Sequence, residues 1–123
     1  MLKTLIVEDS TIFRKLLKEA LNSRFPSMEI FEAEDGQEAL QRVETLSPDL
    51  IFMDIKLPGE SGLDLTKKIK TGHPEIIVIV LTSYDTPEYQ EAAEQAKADY
   101  FLAKGSSTKN AILGLVESIV SAR

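Results

Sequence analysis

The sequence has no cysteine, a single histidine and fewer basic than acidic residues, 14 against 20 in a chain of 123. Without cysteine, disulfide bonds and thiolate chemistry are excluded. The net charge of −6 argues against direct binding to nucleic acid, because phosphate backbones attract basic surfaces. No apolar run approaches the ~20 residues of a membrane span, and the N-terminus lacks the pattern of a signal peptide. We therefore expect a cytoplasmic protein that contacts neither nucleic acid nor membrane.

Apolar runs alternate with segments of helical spacing along the chain, without a linker or repeat between them. The runs, interpreted as strands, lie at 5–7, 30–31, 50–53, 76–81 and 100–103. The stripes, interpreted as helices, lie at 12–21, 39–46, 63–69, 87–96 and 111–120. Helix caps are expected at Asp35, Ser61 and Thr86. Five strand–helix units predict a single α/β domain with a parallel sheet covered on both faces.

Strand composition indicates the order of the sheet. The runs at 5–7, 50–53 and 76–81 are continuously apolar, as expected of central strands that are buried on both faces. Acids interrupt the second run and the fifth is mixed, which is typical of edge strands. We therefore predict a doubly wound, flavodoxin-like (βα)5 fold with strand order 2-1-3-4-5. In this order, ligands bind where strands 1 and 3 end.

Polar residues follow four of the five predicted strands. Glu8 and Asp9 follow the first, Asp54 the third, Thr82 the fourth and Lys104 the fifth. Because parallel strands point the same way, these residues should converge on one rim. Two like charges ~4 Å apart repel by about 4 kcal/mol at an effective dielectric of 20, so three carboxylates need a cation or a proton. A site whose ligands are all oxygens suits Mg²⁺ together with a phosphate. One of the carboxylates could then accept the phosphoryl group.

Each of these residues alone also has a structural interpretation. Asp9 could cap a helix, Asp54 could be a turn acid, Thr82 a strand residue and Lys104 a solvated lysine. Their convergence on one rim is what favours a binding site. The single histidine, His73, is interpreted as a solvated loop residue without a role.

The first helix carries three basic residues, Arg14, Lys15 and Lys18. We expect them to form its exposed face, opposite its apolar stripe.

Four short motifs occur in order at the strand ends. They are VEDS at 7–10, MDIKLP at 53–58 followed by Gly62, LTS at 81–83 and FLAK at 101–104. Together they resemble the receiver domain of two-component response regulators, the CheY-like superfamily, over essentially the whole chain.

The resemblance implies a Mg²⁺-dependent phosphoacceptor site. Asp54 would attack the phosphorus of a phosphohistidine on a sensor histidine kinase or a phosphotransfer protein. Asp9 and Asp54 would bind Mg²⁺, with Glu8 helping directly or through water and the backbone carbonyl of Lys56 completing the protein ligands. Lys104 would pair with the phosphoryl group.

The resemblance also implies a conformational switch. Thr82 would swing its hydroxyl onto a phosphoryl oxygen and Phe101 would turn inward. This would change the face made by helix 4, strand 5 and helix 5, which would act on an effector domain or protein, or form a homodimer. The apolar side of the helix at 87–96 is mostly alanine, which buries little area, so we expect this helix to be weakly anchored and able to move.

Four departures from the family pattern bear on function. Glu8 stands where aspartate is common. Residues 105–107 read Gly-Ser-Ser where many members have proline, and this lack of proline resembles the subfamily with a C-terminal helix-turn-helix effector. Lys97 stands where glycine is frequent, and would be strained if that position needs a positive φ. Lys56 and Tyr84 occupy the positions that tune the lifetime of the phosphoryl group, and we hypothesise that Tyr84 shields it from water.

Other functions fit less well. A phosphohydrolase resembling haloacid dehalogenases needs a second acid where Lys56 stands, and a flavodoxin-like electron carrier needs a glycine- and hydroxyl-rich loop where Glu8 and Asp9 would repel phosphate. A receiver that binds partners without phosphorylation is a further alternative. We predict a single receiver domain over 1–123, either alone or at the N-terminus of a longer regulator, that is not an enzyme beyond its own phosphorylation and dephosphorylation.

Overall fold

Strands and helices alternate throughout the computed structural model, which describes residues 2–105 and 108–122. The elements are β1 (Lys3–Val7), α1 (Thr11–Arg24), β2 (Glu29–Ala33), α2 (Gly36–Leu46), β3 (Leu50–Met53), α3 (Gly62–Gly72), β4 (Ile77–Thr82), α4 (Pro87–Gln95), β5 (Tyr100–Ala103) and α5 (Thr108–Ser121). The five strands form one parallel sheet in the order β2-β1-β3-β4-β5. The predicted fold and strand order are therefore confirmed. No helix in the described ranges combines the length and apolar character needed to cross a membrane.

The sheet separates two apolar cores because successive side chains of a strand point to opposite faces. In β1, Leu5 and Val7 pack with residues of α2 and α3, whereas Ile6 packs with residues of α1 and α5. Strand β3 is buried at every position, and β2 and β5 are mostly half-buried. This difference confirms that central and edge strands can be distinguished by composition.

The predicted caps begin three of the helices. Asp35 accepts a hydrogen bond from the Glu38 N–H, and Thr86 accepts one from the Tyr89 N–H. Ser61 accepts one from the Leu63 N–H, so the acid at the end of β3 is not needed to cap α3. His73 lies just after α3, where its backbone N–H bonds to the Ile69 carbonyl; it is half-buried, with its ring 3.2 Å from a glutamate of α2.

The prediction for the basic residues of α1 was wrong for Arg14. Lys15 is exposed, but Arg14 is 8% exposed, and instead Ile12 and Leu16 on the same helix are 76% and 59% exposed. The guanidinium reaches Glu32, whose Oε1 lies 2.8 Å from Nε. Helix α1 is therefore rotated about its axis relative to the prediction. Arg14, paired with the edge strand β2, is buried where the sequence pattern predicts an apolar residue.

Helix α4 is weakly anchored because it buries few side chains, as its composition indicates. Ala93 is its one buried residue, whereas α3 buries four. After the helix, Lys97 has φ of 71°, so the position does adopt the left-handed conformation that favours glycine. Its N–H bonds to the Glu94 carbonyl and the following N–H, of Ala98, to the Ala93 carbonyl, both at 3.0 Å, which closes the helix end.

Candidate functional site

The candidate site is attached to the sheet by main-chain hydrogen bonds that continue beyond the strands. The N–H of Glu8 bonds to the Ala33 carbonyl and that of Asp54 to the Val7 carbonyl, both at 3.0 Å. The N–H of Lys104 bonds to the Thr82 carbonyl at 2.8 Å. Three of the predicted site residues therefore have backbones held by neighbouring strands, although none of the three is itself within a strand.

Three acidic side chains converge at the carboxyl ends of β1 and β3. Glu8, Asp9 and Asp54 each offer an oxygen, and these oxygens lie within 4.8 Å of one another. Glu8 and Asp54 are buried, whereas Asp9 is exposed. The N-cap of α1 is Ser10, whose hydroxyl accepts a hydrogen bond from the Phe13 N–H, so the capping interpretation of Asp9 is not needed. Asp9 thus faces solvent at the open side of the cluster.

The single ammonium of the site is held mainly by one carboxylate. Lys104 Nζ donates a hydrogen bond to Glu8 Oε1, whereas it lies 3.7 Å from Asp54 Oδ2. It also lies 4.2 Å from the centroid of the Phe13 ring, a cation–π distance. Phe13 is a neighbour that sequence reasoning missed. Its position in the first turn of α1, one turn after the acidic pair, is the signal that could have indicated it.

The two buried carboxyls differ in their protonation. Burial first, and then the negative charge of Glu8 and its hydrogen bond, raise the pKa of Asp54 to about 7, against the weaker effects of Lys104 and the Ile55 N–H. Burial alone would also raise the pKa of Glu8. Hydrogen bonds from Lys104 and the Ser10 N–H outweigh that effect and lower it. Near neutral pH the cluster therefore holds a proton on Asp54 for part of the time, which relieves the repulsion between the acids.

The donor set fits a hard divalent cation. All three side chains offer oxygen, the exposed position of Asp9 leaves room for water ligands, and the negative charge exceeds what Lys104 can balance. Mg²⁺ favours a site with few carboxylates, several waters and space for a phosphate oxygen. The residues present are therefore suited to Mg²⁺.

The loop after Asp54 requires a glycine where it turns back. A Cβ built on Gly62 would lie 1.7 Å from the carbonyl oxygen of Asp54, and the Gly62 N–H bonds to the Ile55 carbonyl at 2.8 Å. Any other residue would collide with the backbone of the site. The start of α3 is thereby packed against the peptide that follows Asp54, and Lys56 lies in the exposed part of the loop.

Thr82 and Phe101 lie on adjacent strands between the acidic cluster and α4. Thr82 is fully buried, and its hydroxyl accepts a hydrogen bond from the Tyr84 N–H at 3.1 Å. Phe101 is half-buried and packs in a small cluster with Ile55, Val80 and Ala93. Because Ile55 directly follows Asp54 and Ala93 lies on α4, this cluster joins the site to the helix.

An exposed cation lies over two aromatic rings beside the acidic cluster. Lys56 Nζ is 5.1 Å from the Tyr84 ring centroid and 5.5 Å from that of Tyr89. The two ring centroids are 5.7 Å apart. The sequence gives no sign that α4 brings Tyr89 to Lys56.

Comparison with known proteins places these features in a family. The model of the response regulator receiver domain matches residues 4–116. Response regulator GacA of Pseudomonas syringae pv. syringae is 30% identical over 123 residues, which are 100% of this chain and 54% of that protein. The chain thus spans about half the length of this relative.

Two solved structures are similar over nearly the full chain. A CheY-like response regulator receiver domain protein from Methanospirillum hungatei has 26% identity and a TM-score of 0.87, with 98% of this chain and 95% of that one covered. The Mn²⁺-bound form of response regulator Rcp1 has 25% identity and a TM-score of 0.81, with 98% and 93% covered. The matched family model, the fold and the strand-end residues agree: the chain belongs to the response regulator receiver domain family of two-component systems.

Proposed function

We propose that this receiver domain accepts a phosphoryl group on Asp54 from the phosphohistidine of a sensor histidine kinase or a phosphotransfer protein. The observation that carries the proposal is the cluster of Glu8, Asp9 and Asp54 oxygens within 4.8 Å, with Lys104 beside it. Such a cluster is costly unless a cation binds to it. The similar structure of response regulator Rcp1 is a Mn²⁺-bound form, which supports the binding of a divalent metal by this chain.

The acceptor in this proposal is a carboxylate oxygen of Asp54. Its lone pair forms the bond to phosphorus, the phosphorus–nitrogen bond of the phosphohistidine breaks, and the imidazole leaves with the electron pair. Bound Mg²⁺ would neutralise charge on the phosphoryl oxygens. Glu8, Asp9, Asp54 and the backbone carbonyl of Lys56 would hold it. The reaction needs an ionised Asp54, and because the pKa of this carboxyl is raised to about 7, a bound cation would favour the ionised form.

Lys104 and Thr82 would respond to the new charge. In our proposal the ammonium moves from Glu8 toward the phosphoryl group, and the Thr82 hydroxyl leaves the Tyr84 N–H to donate to a phosphoryl oxygen. Phe101 then turns into the space that Thr82 vacates. The thin anchoring of α4 by Ala93 supports a shift of the α4–β5–α5 face, which would contact an effector domain or protein, or a second copy in a homodimer.

Membership of the family supports a proposal for the cellular location and the partners of the chain. We propose a cytoplasmic receiver that makes no direct contact with nucleic acid or membrane and has no enzymatic activity beyond its own phosphorylation and dephosphorylation. The match covers 54% of the relative from P. syringae, which supports the alternative of a longer regulator in which the receiver is joined to an effector.

The proposal is tested by incubating the chain with acetyl phosphate and Mg²⁺ and measuring intact mass. We expect one phosphoryl addition that is stable in acid and lost in base, and that is absent with EDTA. Asp54→Asn is the matched control, since it keeps the size of the side chain. An unmodified parent chain, or an equal addition in Asp54→Asn, would refute the assignment of Asp54 as acceptor.

A further inference from the structure

Arg14 is a buried charge that the proposed phosphoryl chemistry does not use. Its side chain is 9% exposed, and its guanidinium makes three contacts beyond its own helix. Nε donates to Glu32 Oε1 at 2.8 Å, and one terminal nitrogen donates to Glu34 Oε1 at 3.2 Å. The other terminal nitrogen donates to the backbone carbonyl of Glu8 at 2.6 Å. A buried guanidinium is tolerated only when its donors are satisfied in this way.

The third contact connects Arg14 to the metal-binding acids. The carbonyl of Glu8 belongs to the peptide unit that joins Glu8 to Asp9. Its orientation therefore sets the direction in which the Asp9 side chain leaves the backbone. The other polar groups of Glu8 are also held, its N–H by the Ala33 carbonyl at 3.0 Å and its Oε2 by the Ser10 N–H at 3.1 Å. The carbonyl is the remaining backbone polar group of Glu8, and Arg14 supplies its hydrogen bond.

The two glutamates hold the guanidinium that makes this bond. Glu32 lies in β2 and Glu34 just after it, so the guanidinium is clamped to the edge strand while it reaches the end of β1. Lys18 also contacts Glu32, at 3.2 Å, but within the described residues its ammonium makes no hydrogen bond to the Glu8–Asp9 peptide. Arg14 and Lys18 thus share one carboxylate and differ in their relation to the acidic cluster.

We propose that Arg14 is a positioning residue for the divalent metal: it orients the Glu8–Asp9 peptide so that both carboxylates face Asp54. The inference rests on the proposed Mg²⁺ site. Groups that orient metal ligands in this way commonly contribute 10- to 100-fold to affinity, so Arg14→Ala should raise the Kd for the metal by about tenfold. Simple electrostatics predicts the opposite sign, because removing a nearby positive charge favours cation binding.

The test uses Mn²⁺ as a paramagnetic probe, titrated into the chain without phosphodonor and followed by electron paramagnetic resonance. Arg14→Ala should weaken Mn²⁺ binding by about tenfold, and Arg14→Lys, which keeps the charge but loses the fork, by less. Lys18→Ala is the matched control and should bind Mn²⁺ as the parent does, or slightly more tightly. Circular dichroism melts in EDTA show whether each variant is folded; if Arg14→Ala is unfolded, Arg14→Lys decides the question.

A second readout separates positioning from a general loss of structure. With acetyl phosphate, the rate deficit of Arg14→Ala should be largest at low Mg²⁺ and should be reversed by raising the Mg²⁺ concentration. Unchanged Mn²⁺ affinity in the folded Arg14 variants, or equal weakening by Lys18→Ala, would overturn the inference. A parent chain that binds Mn²⁺ but takes up no phosphoryl group would refute the proposed function alone, since the affinities still test Arg14.

Discussion

The β-sheet has one edge where its strands begin and one where they end, and these two edges hold their carboxylates in opposite ways. At the edge where the strands begin, Asp99 accepts hydrogen bonds from the Val78 N–H at 2.8 Å and from Lys70 Nζ at 2.9 Å. Asp49 accepts one from the Lys3 N–H at 2.9 Å. At the edge where the strands end, Glu8, Asp9 and Asp54 face one another and are served mainly by one ammonium. The same residue types join neighbouring segments at one edge and repel one another at the other.

The difference separates stability from function within one sheet. A carboxylate with backbone and ammonium donors stabilises the fold, because each charge-assisted hydrogen bond is stronger than a neutral one. Asp54, placed beside two other carboxylates, lowers stability instead, and a protein retains such a residue for what it can bind. The raised pKa of Asp54 reflects this loss of stability, because the ionised carboxyl is the form that burial and Glu8 disfavour.

The largest effect should come from the edge where the strands begin. Asp99→Ala leaves the Val78 N–H without its carboxylate partner and removes the counter-charge of Lys70, whose side chain is 10% exposed. We expect the free energy of unfolding, measured by urea denaturation at pH 8, to fall by about 2 to 3 kcal/mol. Asp99→Asn, which keeps an acceptor but not the charge, should cost about half as much. A loss below ~0.5 kcal/mol for both variants would show that this edge is not stabilised by its carboxylate.

At the edge where the strands end, removing a carboxylate charge should instead raise the free energy of unfolding. Because the pKa of Asp54 is raised to about 7 from 3.8, the folded chain binds a proton that the unfolded chain has released. The stabilising effect of that proton is complete below pH ~4 and is lost as the pH rises through about 7. In metal-free buffer, Asp54→Asn should therefore exceed the parent in unfolding free energy by about 1 to 2 kcal/mol at pH 8, after allowance for screening at this rim.

Near pH 4 the same two proteins should have nearly equal stability, which makes the pH series its own control. A variant that is equally stabilised at every pH would indicate better packing rather than relief of charge repulsion.

Binding of Mg²⁺ should offset the charge repulsion at the edge where the strands end and so raise stability. Mg²⁺ at ten times its Kd should raise the unfolding free energy of the parent by about 1.4 kcal/mol through binding to the folded state alone. Asp54→Asn should gain much less at the same concentration, because it lacks one anionic ligand. Thermal melts at pH 8 with and without Mg²⁺ measure both values, and Ca²⁺-free NaCl at equal ionic strength controls for screening. An equal gain in the two proteins would indicate that Asp54 does not contribute to metal binding.

The smallest effect concerns the lifetime of the phosphoryl group. Tyr84 lies beside the site with its ring under Lys56, and we hypothesise that it limits the access of water. Tyr84→Ala should accelerate dephosphorylation by about two- to fivefold, a barrier change below 1 kcal/mol. The decay of the phosphorylated protein after removal of phosphodonor, followed by intact mass, gives the rate. The hypothesis fails if Tyr84→Ala decays at the parent rate or more slowly.

The sequence predicted the sheet and the acidic site because both depend on local patterns combined with one geometric rule. Apolar runs identify central strands, and parallel strands bring the residues after them to a common rim. Glu8, Asp54 and Lys104 could therefore be grouped without coordinates. Arg14 could not, since its burial depends on Glu32 and Glu34, 18 and 20 residues away, lying within reach of its guanidinium.

Two further features depend on distances of a few ångströms. The preference of Lys104 for Glu8 over Asp54 follows from side-chain positions at the rim. The contact of Lys56 with Tyr89 requires the orientation of α4 against the loop after β3. No pattern of residue types encodes either feature, because the same residues at the same spacing are compatible with other pairings.

The titration of Asp54 tests the central claim most directly, namely that the acids at this edge are held against one another until a cation binds. Carbonyl ¹³C chemical shifts of the aspartate side chains, measured by NMR across pH in metal-free protein, report its pKa, with Asp54→Asn identifying the signal. We predict a midpoint near 7 without metal and an ionised carboxylate throughout the neutral range with saturating Mg²⁺. A midpoint near 4 in the metal-free protein would contradict the account.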